Sequence, residues 1–219
     1  MSVLDTPVRE AAWAAVDFES AGTAPGRTDE PVQVGIAVWR GGDAPPGDFF
    51  RSHVRSGARI TRAARVVHGI TDEDVASAPL MASLWPEVKS RLAGAAVVAH
   101  GAGTERRFLR AFPLHGFGPW IDTLPIARAL LPNLPDHALG TVVGALGLED
   151  EVRGLCPRLS WHDALFDAVA CLVFLRRMVH QLDLGGMRVG QLLGLDATAY
   201  RRHRGVLDAA RGAGWQAGR

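Results

Sequence analysis

Apolar side chains recur with a period of two near the start of the chain and with a helical period further on, and the switch divides the sequence into elements. Ala11–Phe18 is a short apolar run that stops abruptly at Asp17, Glu19 and the turn-rich stretch Ser20–Pro31, the pattern of a buried strand. In Val32–Arg40, Val32, Val34, Ile36 and Val38 alternate with Gln33, Gly35, Ala37 and Trp39, which predicts a second strand. The turn Gly41–Asp48 separates it from a third strand within Phe49–Arg55, completing a meander.

From Thr61 the period lengthens. Ala63, Ala64 and Val67 fit a short helical turn, and Leu84, Val88 and Leu92 mark a helix that starts near Ser83 or bends at Pro86. Ala95–Ala99 predicts a fourth strand, Thr104–Phe112 a helix with Gly103 or Thr104 near its N-cap, and Ile121-Asp122 the end of a fifth strand. Asp122 is placed to cap a helix over Thr123–Leu131, which Pro132 closes, and Ala138–Leu146 forms another that Gly147 stops. Periodicity lapses over Glu149–Leu159. Ser160-x-x-Asp163 then resembles a capping box ahead of the most apolar helix, Asp163–Gln181. Strands first, then strands mixed with helices, predict an α/β fold: a mixed five-stranded sheet with helices packed on both faces. The expected organisation is one domain over 1–182 and a helical appendage over 183–219.

Composition narrows the function classes. With 219 residues, 47% hydrophobic and 21% charged, the chain can build a sizeable core, and disorder throughout is excluded. No apolar run approaches the roughly 18 residues of a membrane span, and the start lacks a secretory pattern, so a cytoplasmic protein without membrane contact is expected. Cys156 and Cys171 stand alone, as buried free thiols would, and support neither a disulfide framework nor a thiolate zinc site. The 24 basic and 23 acidic residues leave a net charge of +1, so any nucleic-acid site must be local. Candidate phosphate contacts are Arg106, Arg107 and Arg110, the group Arg51, Arg55, Arg59, Arg62 and Arg65, and the late cluster Arg201–Arg204.

Three segments carry candidate chemistry. Asp17 and Glu19 are two apart on a strand and therefore project from one face, which is costly for like charges unless a cation or a proton intervenes. Glu105 sits in the first turn of a helix after a buried strand; taken singly it is the acid expected there to complement the helix dipole. Asp167 lies among Ala164, Leu165, Ala168, Ala170 and Cys171, where an ionised carboxylate needs a partner. His162 is five residues earlier, about 140° away on an ideal helix, and can share a centre with Asp167 only from a frayed turn or loop. Together, four carboxylates and one histidine without cysteine suit two Mg²⁺ or Mn²⁺ ions better than zinc. Such a pair stabilises the attacking and leaving oxygens in phosphodiester hydrolysis, with His162 as general base.

The order of segments resembles the histidine subtype of the DEDD superfamily of 3′–5′ exonucleases, over about residues 10–182. Asp17-Phe18-Glu19-Ser20-Ala21-Gly22 is similar to the family's D-x-E-T-T-G, and Val67–Glu73 to its V-H-G-I-T-D-E segment. Val98–Leu109 matches the second motif, Asp122-Thr123-Leu124 with Ala127-Arg128 the D-T-L-x-x-A-R block, and His162 through Asp167 the H-x₄-D. The resemblance implies a ribonuclease-H-like fold and a metal-dependent exonuclease releasing nucleoside monophosphates from single-stranded 3′ ends, with DNA favoured over RNA. It makes Asp17, Glu19, Glu105 and Asp167 the metal ligands and His162 the base. It puts Phe18, Ser20, Ala21, Gly22 and His100 around the terminal nucleotide, backbone N–H groups meeting its 3′-hydroxyl. It also allows a polymerase or repair partner. Glu105 stands where the family has aspartate, Gly101 where it has asparagine, and Ser20-Ala21 where it has two threonines. These departures motivate the rival expectation, a degenerate module that binds nucleic acid or a polymerase without cutting.

Overall fold

The structure is a computed structural model and describes residues 2–112 and 116–193, together with Thr198 and Arg202. β1 (Trp13–Ser20), β2 (Pro31–Trp39) and β3 (Gly47–His53) form an antiparallel meander. β4 (Ala96–Ala99) and β5 (Trp120–Asp122) join the other edge of β1 in parallel, giving the order β3-β2-β1-β4-β5. This is the mixed five-stranded sheet expected.

Helices cover both faces because β1 is apolar on both. Ala14, Val16 and Phe18 pack in one cluster with Val88 and Leu92 of α3 (Trp85–Leu92) and Phe108 of α4 (Gly103–Leu109). The short α1 (Arg62–His68) and α2 (Asp72–Ala76) precede α3 in the chain. Trp13 and Ala15, the alternate positions, meet the helices that follow β5. These are α5 (Thr123–Leu130), α6 (Leu139–Ala145), α7 (Glu149–Leu155) and α8 (Ala164–Gln181). α8 buries Leu172, Val173 and Phe174 completely or nearly so, at about 1.5–3 kcal/mol for each such side chain, and is the organising helix of that face.

Two local readings change, one short helix is added, and the start near Ser83 is the alternative that holds at Pro86. α7 forms where the period lapses: Leu148, Val152 and Cys156 make one narrow buried stripe beneath the acids Glu149, Asp150 and Glu151. α2 is held by a reciprocal cap in which Asp74 N–H donates to the Thr71 hydroxyl at 3.3 Å and Thr71 N–H to Asp74 at 2.8 Å. α3 accepts Pro86 in its first turn without a bend. α8 is capped by Asp163, whose Oδ1 accepts from Leu165 N–H at 3.1 Å, and not by Ser160, which is linked to Asp163 through its carbonyl.

The appendage expected over 183–219 is described only in its first part. Leu184, Met187 and the buried residues of α9 (Val189–Leu192) join the cluster of Trp13 and α8. They pair with the N-terminal segment through Val8 N–H to the Met187 carbonyl at 2.8 Å and Val189 N–H to the Thr6 carbonyl at 3.0 Å. Of the cluster Arg201–Arg204, Arg201, His203 and Arg204 lie outside the described residues. No helix among the described residues is long and apolar enough to cross a membrane.

Candidate active site

β1 delivers the first two carboxylates. Asp17 and Glu19 continue the face of Trp13 and Ala15 and emerge beyond the apolar cluster toward the start of α8. Asp17 pairs in register with Gly35 of β2, and a Cβ at Gly35 would stand 2.1 Å from the Ala164 carbonyl carbon and the Leu165 nitrogen. The first turn of α8 therefore rests directly on β2, and Asp167, one turn along, is carried to the carboxylates of β1. His162 lies outside the helix, before the cap, with φ +66°. That placement removes the angular conflict: ligand atoms of Glu19, His162 and Asp167 all lie within 4.8 Å of one another.

Glu105 arrives from the other side of β1. Asp122 at the end of β5 accepts Gly101 N–H at 2.8 Å, Ala102 N–H at 3.0 Å and Leu124 N–H at 2.9 Å, capping α5 while pinning the turn between β4 and α4. Glu105, 6% exposed, projects from the first turn of α4.

The electrostatics centre on Asp17, on which the charges of the other three acids converge. Burial, then the charges of Asp167, Glu105 and Glu19, push the Asp17 carboxyl well above the usual carboxylate range. Burial with the charges of Asp167 and Asp163 raises Glu19 to about 8. Burial raises Glu105 to about 7 and Asp167 to about 7, against the hydrogen bonds that favour their charged forms. Glu105 Oε2 and Asp167 Oδ1 are buried acceptors with no hydrogen-bond partner. Hard oxygen donors, mutual repulsion and two orphaned acceptors fit divalent cations. The thiols Cys156 and Cys171 are free and buried, and burial pushes both above the ordinary thiol range, so they add no soft ligand.

Two cavities flank this edge. One of about 560 Å³ includes Phe18, Glu19, Ser20, Gly22, His68 and Glu105; the other, about 360 Å³, includes Asp17, Leu139, Trp161, His162 and Asp167. His100 borders both. Its ring nitrogens are committed inside the protein, Nε2 to the His137 carbonyl at 2.7 Å and Nδ1 to the Thr123 hydroxyl at 2.9 Å, so only its ring surface faces a ligand. Phe18 is buried edge-on against Phe108 at 5.4 Å. Ala21 is fully buried; its N–H donates to the Glu30 carbonyl at 2.9 Å. Gly22 N–H donates to Asp29 at 2.9 Å, so the backbone donors at these two positions are already engaged. Trp161 packs edge-on against Phe166 at 5.0 Å while bordering the smaller cavity.

No arginine or lysine is among the described residues bordering either cavity. Arg107 pairs with Asp29 at 3.0 Å, Arg106 lies over Trp120 at 5.2 Å, and Arg51 pairs with Asp163 at 2.6 Å. Sequence reasoning missed the supporting set Gln33, Gly35 and Arg51. Its one signal was Gln33, a polar residue within an apolar strand.

A ribonuclease-H-like sheet that gathers an acidic edge in this way is the frame of a metal-dependent nuclease. The exonuclease family model RNase_T matches residues 14–174, and the chain belongs to that family. Among curated relatives, a DNA polymerase III subunit epsilon-like protein of Rhodobacter capsulatus is 28% identical over 206 residues, 92% of this chain and 28% of the relative. A PolC-type DNA polymerase III of Thermotoga maritima is 30% identical over 194 residues, 86% of this chain and 13% of the relative. The chain thus spans about a quarter or less of the length of these two relatives. Among solved structures, exonuclease X in complex with 5′ overhanging duplex DNA has a TM-score of 0.65 at 23% identity, covering 83% of this chain and 99% of that one. The nuclease domain of 3′hExo, a DEDDh family member bound to rAMP, has a TM-score of 0.61 at 16% identity, covering 80% and 95%. These two likenesses concern the fold.

Proposed function

We propose that this chain hydrolyses the terminal phosphodiester at single-stranded 3′ ends, DNA in preference to RNA, with two Mg²⁺ or Mn²⁺ ions, releasing nucleoside 5′-monophosphates. One observation carries the reading: ligand atoms of Glu19, His162 and Asp167, from two distant segments, lie within 4.8 Å of one another, and the charges of Glu19, Glu105 and Asp167 all bear on the buried carboxyl of Asp17. Divalent cations bound there would stabilise the attacking and leaving oxygens of the displacement. Asp17, Glu19, Glu105 and Asp167 would hold them. In this reading His162 takes the proton of the attacking water, and its exposed ring passes that proton to solvent. The water oxygen bonds to the terminal phosphorus as the bond to the preceding 3′ oxygen breaks, and that oxygen takes a proton from solvent and leaves as a hydroxyl. Phe18, Ser20, Gly22 and His100 border the larger cavity and would shape the terminal-nucleotide pocket, with Ala21 supporting it from the interior.

No arginine or lysine among the described residues borders either cavity, and the bound ions would counter much of the phosphate charge. The DNA polymerase III names of these relatives support DNA as substrate and a polymerase as partner. A 5′-labelled single-stranded oligodeoxynucleotide with Mg²⁺, Mn²⁺ or EDTA tests the activity. Stepwise shortening from the 3′ end with either ion and none in EDTA is expected. Binding without shortening in both ions overturns it and establishes the module that binds without cutting. The neighbour bound to rAMP makes the matching RNA oligonucleotide the necessary comparison.

A further inference from the structure

The start of α8 is held by residues that border neither cavity. Gln33, 1% exposed in β2, accepts Ala164 N–H with Oε1 at 2.7 Å and donates Nε2 to Asp163 Oδ2 at 3.3 Å. From β3, Arg51 donates Nε to the same oxygen at 2.7 Å and approaches it with a second nitrogen at 2.6 Å. Gly35 lets the backbone of Ala164 and Leu165 lie against β2, where any Cβ would collide. All of these contacts fall on the residues directly after His162. That histidine holds φ +66°, a conformation that a residue with a Cβ keeps only where its surroundings enforce it. Arg51 is also one of the arginines that the sequence alone offers as a phosphate contact; here its guanidinium is turned to Asp163.

We propose that Gln33 and Arg51 are positioning residues for His162: by fixing Asp163 and the first turn of α8 against β2 and β3, they aim the imidazole at the acidic edge. The inference rests on the exonuclease reading. The pair is half-exposed, Arg51 41% and Asp163 13%, and Gln33 still donates to Asp163 when the arginine is gone, so removal of a purely structural pair would cost little stability and no turnover. A pair that aims a proton acceptor is different, because a displacement of about an ångström at a reacting group can cost up to about a hundredfold in rate.

The test uses the full chain, a single-stranded oligodeoxynucleotide and saturating Mn²⁺. Arg51→Ala is expected to lower kcat about tenfold with KM unchanged and the melting temperature nearly so, and Arg51→Lys to recover most of the loss. On an Asp163→Asn background, which keeps a cap acceptor but removes the charge, Arg51→Ala should cost nothing further. Gln33→Leu should lower kcat more than Arg51→Ala; should that variant fail to fold, the Arg51 series decides alone. A raised KM with kcat intact would make Arg51 a substrate contact, and an unchanged kcat or strictly additive effects with Asp163→Asn would likewise overturn the proposal. Wild type runs alongside. If it shortens nothing, the exonuclease reading fails, and the clamp is judged by hydrogen exchange at the Ala164 and Leu165 amides. Faster exchange in Arg51→Ala supports it, and unchanged exchange refutes it.

Discussion

Asp167 and Glu105 reach the carboxylates of β1 from opposite sides and by different physical means. Asp167 comes by way of α8, whose backbone lies on Gly35 with no room for a methyl group and whose cap is gripped by Gln33 and Arg51. Glu105 comes from a turn pinned by the hydrogen bonds of Asp122, with Gly101 at φ +86°. The α8 arm is set by shape and tolerates little. The α4 arm is set by a few polar contacts and ends in a glutamate, one methylene longer and more adaptable than the aspartate the resemblance leads one to expect.

The largest effect expected falls on the rigid arm itself. Asp167→Asn should lower 3′-terminal release by about 10²–10³-fold, measured as initial rates with Mg²⁺, while the circular dichroism spectrum is retained. Gly35→Ala tests the same arm without touching a carboxylate. Its methyl must push α8 off β2, so a rate loss approaching that of Asp167→Asn is expected, with a destabilisation of about 1–3 kcal/mol by denaturant titration. Full activity in Gly35→Ala would show that the seat of α8 does not matter. On the adaptable arm, Asp122→Ala should cost about 0.5–2 kcal/mol through the lost cap and weaken Mn²⁺ binding by calorimetry. The smallest effect expected on rate is Glu105→Asp, within about tenfold of wild type, because the turn can follow the shorter side chain. A loss as large as that of Asp167→Asn would erase the distinction between the arms.

Both arms share one pH signature. In EDTA, Glu19, Glu105 and Asp167 hold protons up to about 8, about 7 and about 7, well above the ordinary carboxylate range near 4. The folded state therefore binds more protons than the unfolded chain between about pH 4 and 8, and stability falls as pH rises through that window. The melting temperature of the metal-free protein should decline from pH 5 to pH 8, and Mn²⁺ should cancel the decline. A melting temperature that rises across this range would contradict the shared burial of the acids.

The two arms also differ in how far they can be read from the chain. The strand period places Asp17 and Glu19 on one face directly, and the apolar surroundings of Asp167 announce a carboxylate in need of a partner. Helix geometry alone sets His162 and Asp167 about 140° apart, because a positive φ at a non-glycine residue leaves no local signal. Gly35 looks like an ordinary small position of an alternating strand, and Gln33, polar among apolar neighbours, signals a partner without naming it; the partner is a helix some 130 residues later, as the Gln33–Ala164 hydrogen bond shows. The arginines read as free cations from sequence because their partners are equally remote, Asp163 for Arg51 and Asp29 for Arg107. α7 was hidden by three consecutive acids ahead of a stripe only one residue wide.

The most direct measurement is the anomalous scattering of manganese in a crystal of the full chain grown with Mn²⁺ and a nucleoside 5′-monophosphate. The account predicts two ions about 3.5–4 Å apart, with Asp17, Glu19, Glu105 and Asp167 as their protein ligands. No manganese at this edge, or manganese bound without Asp17 and Asp167, would contradict it.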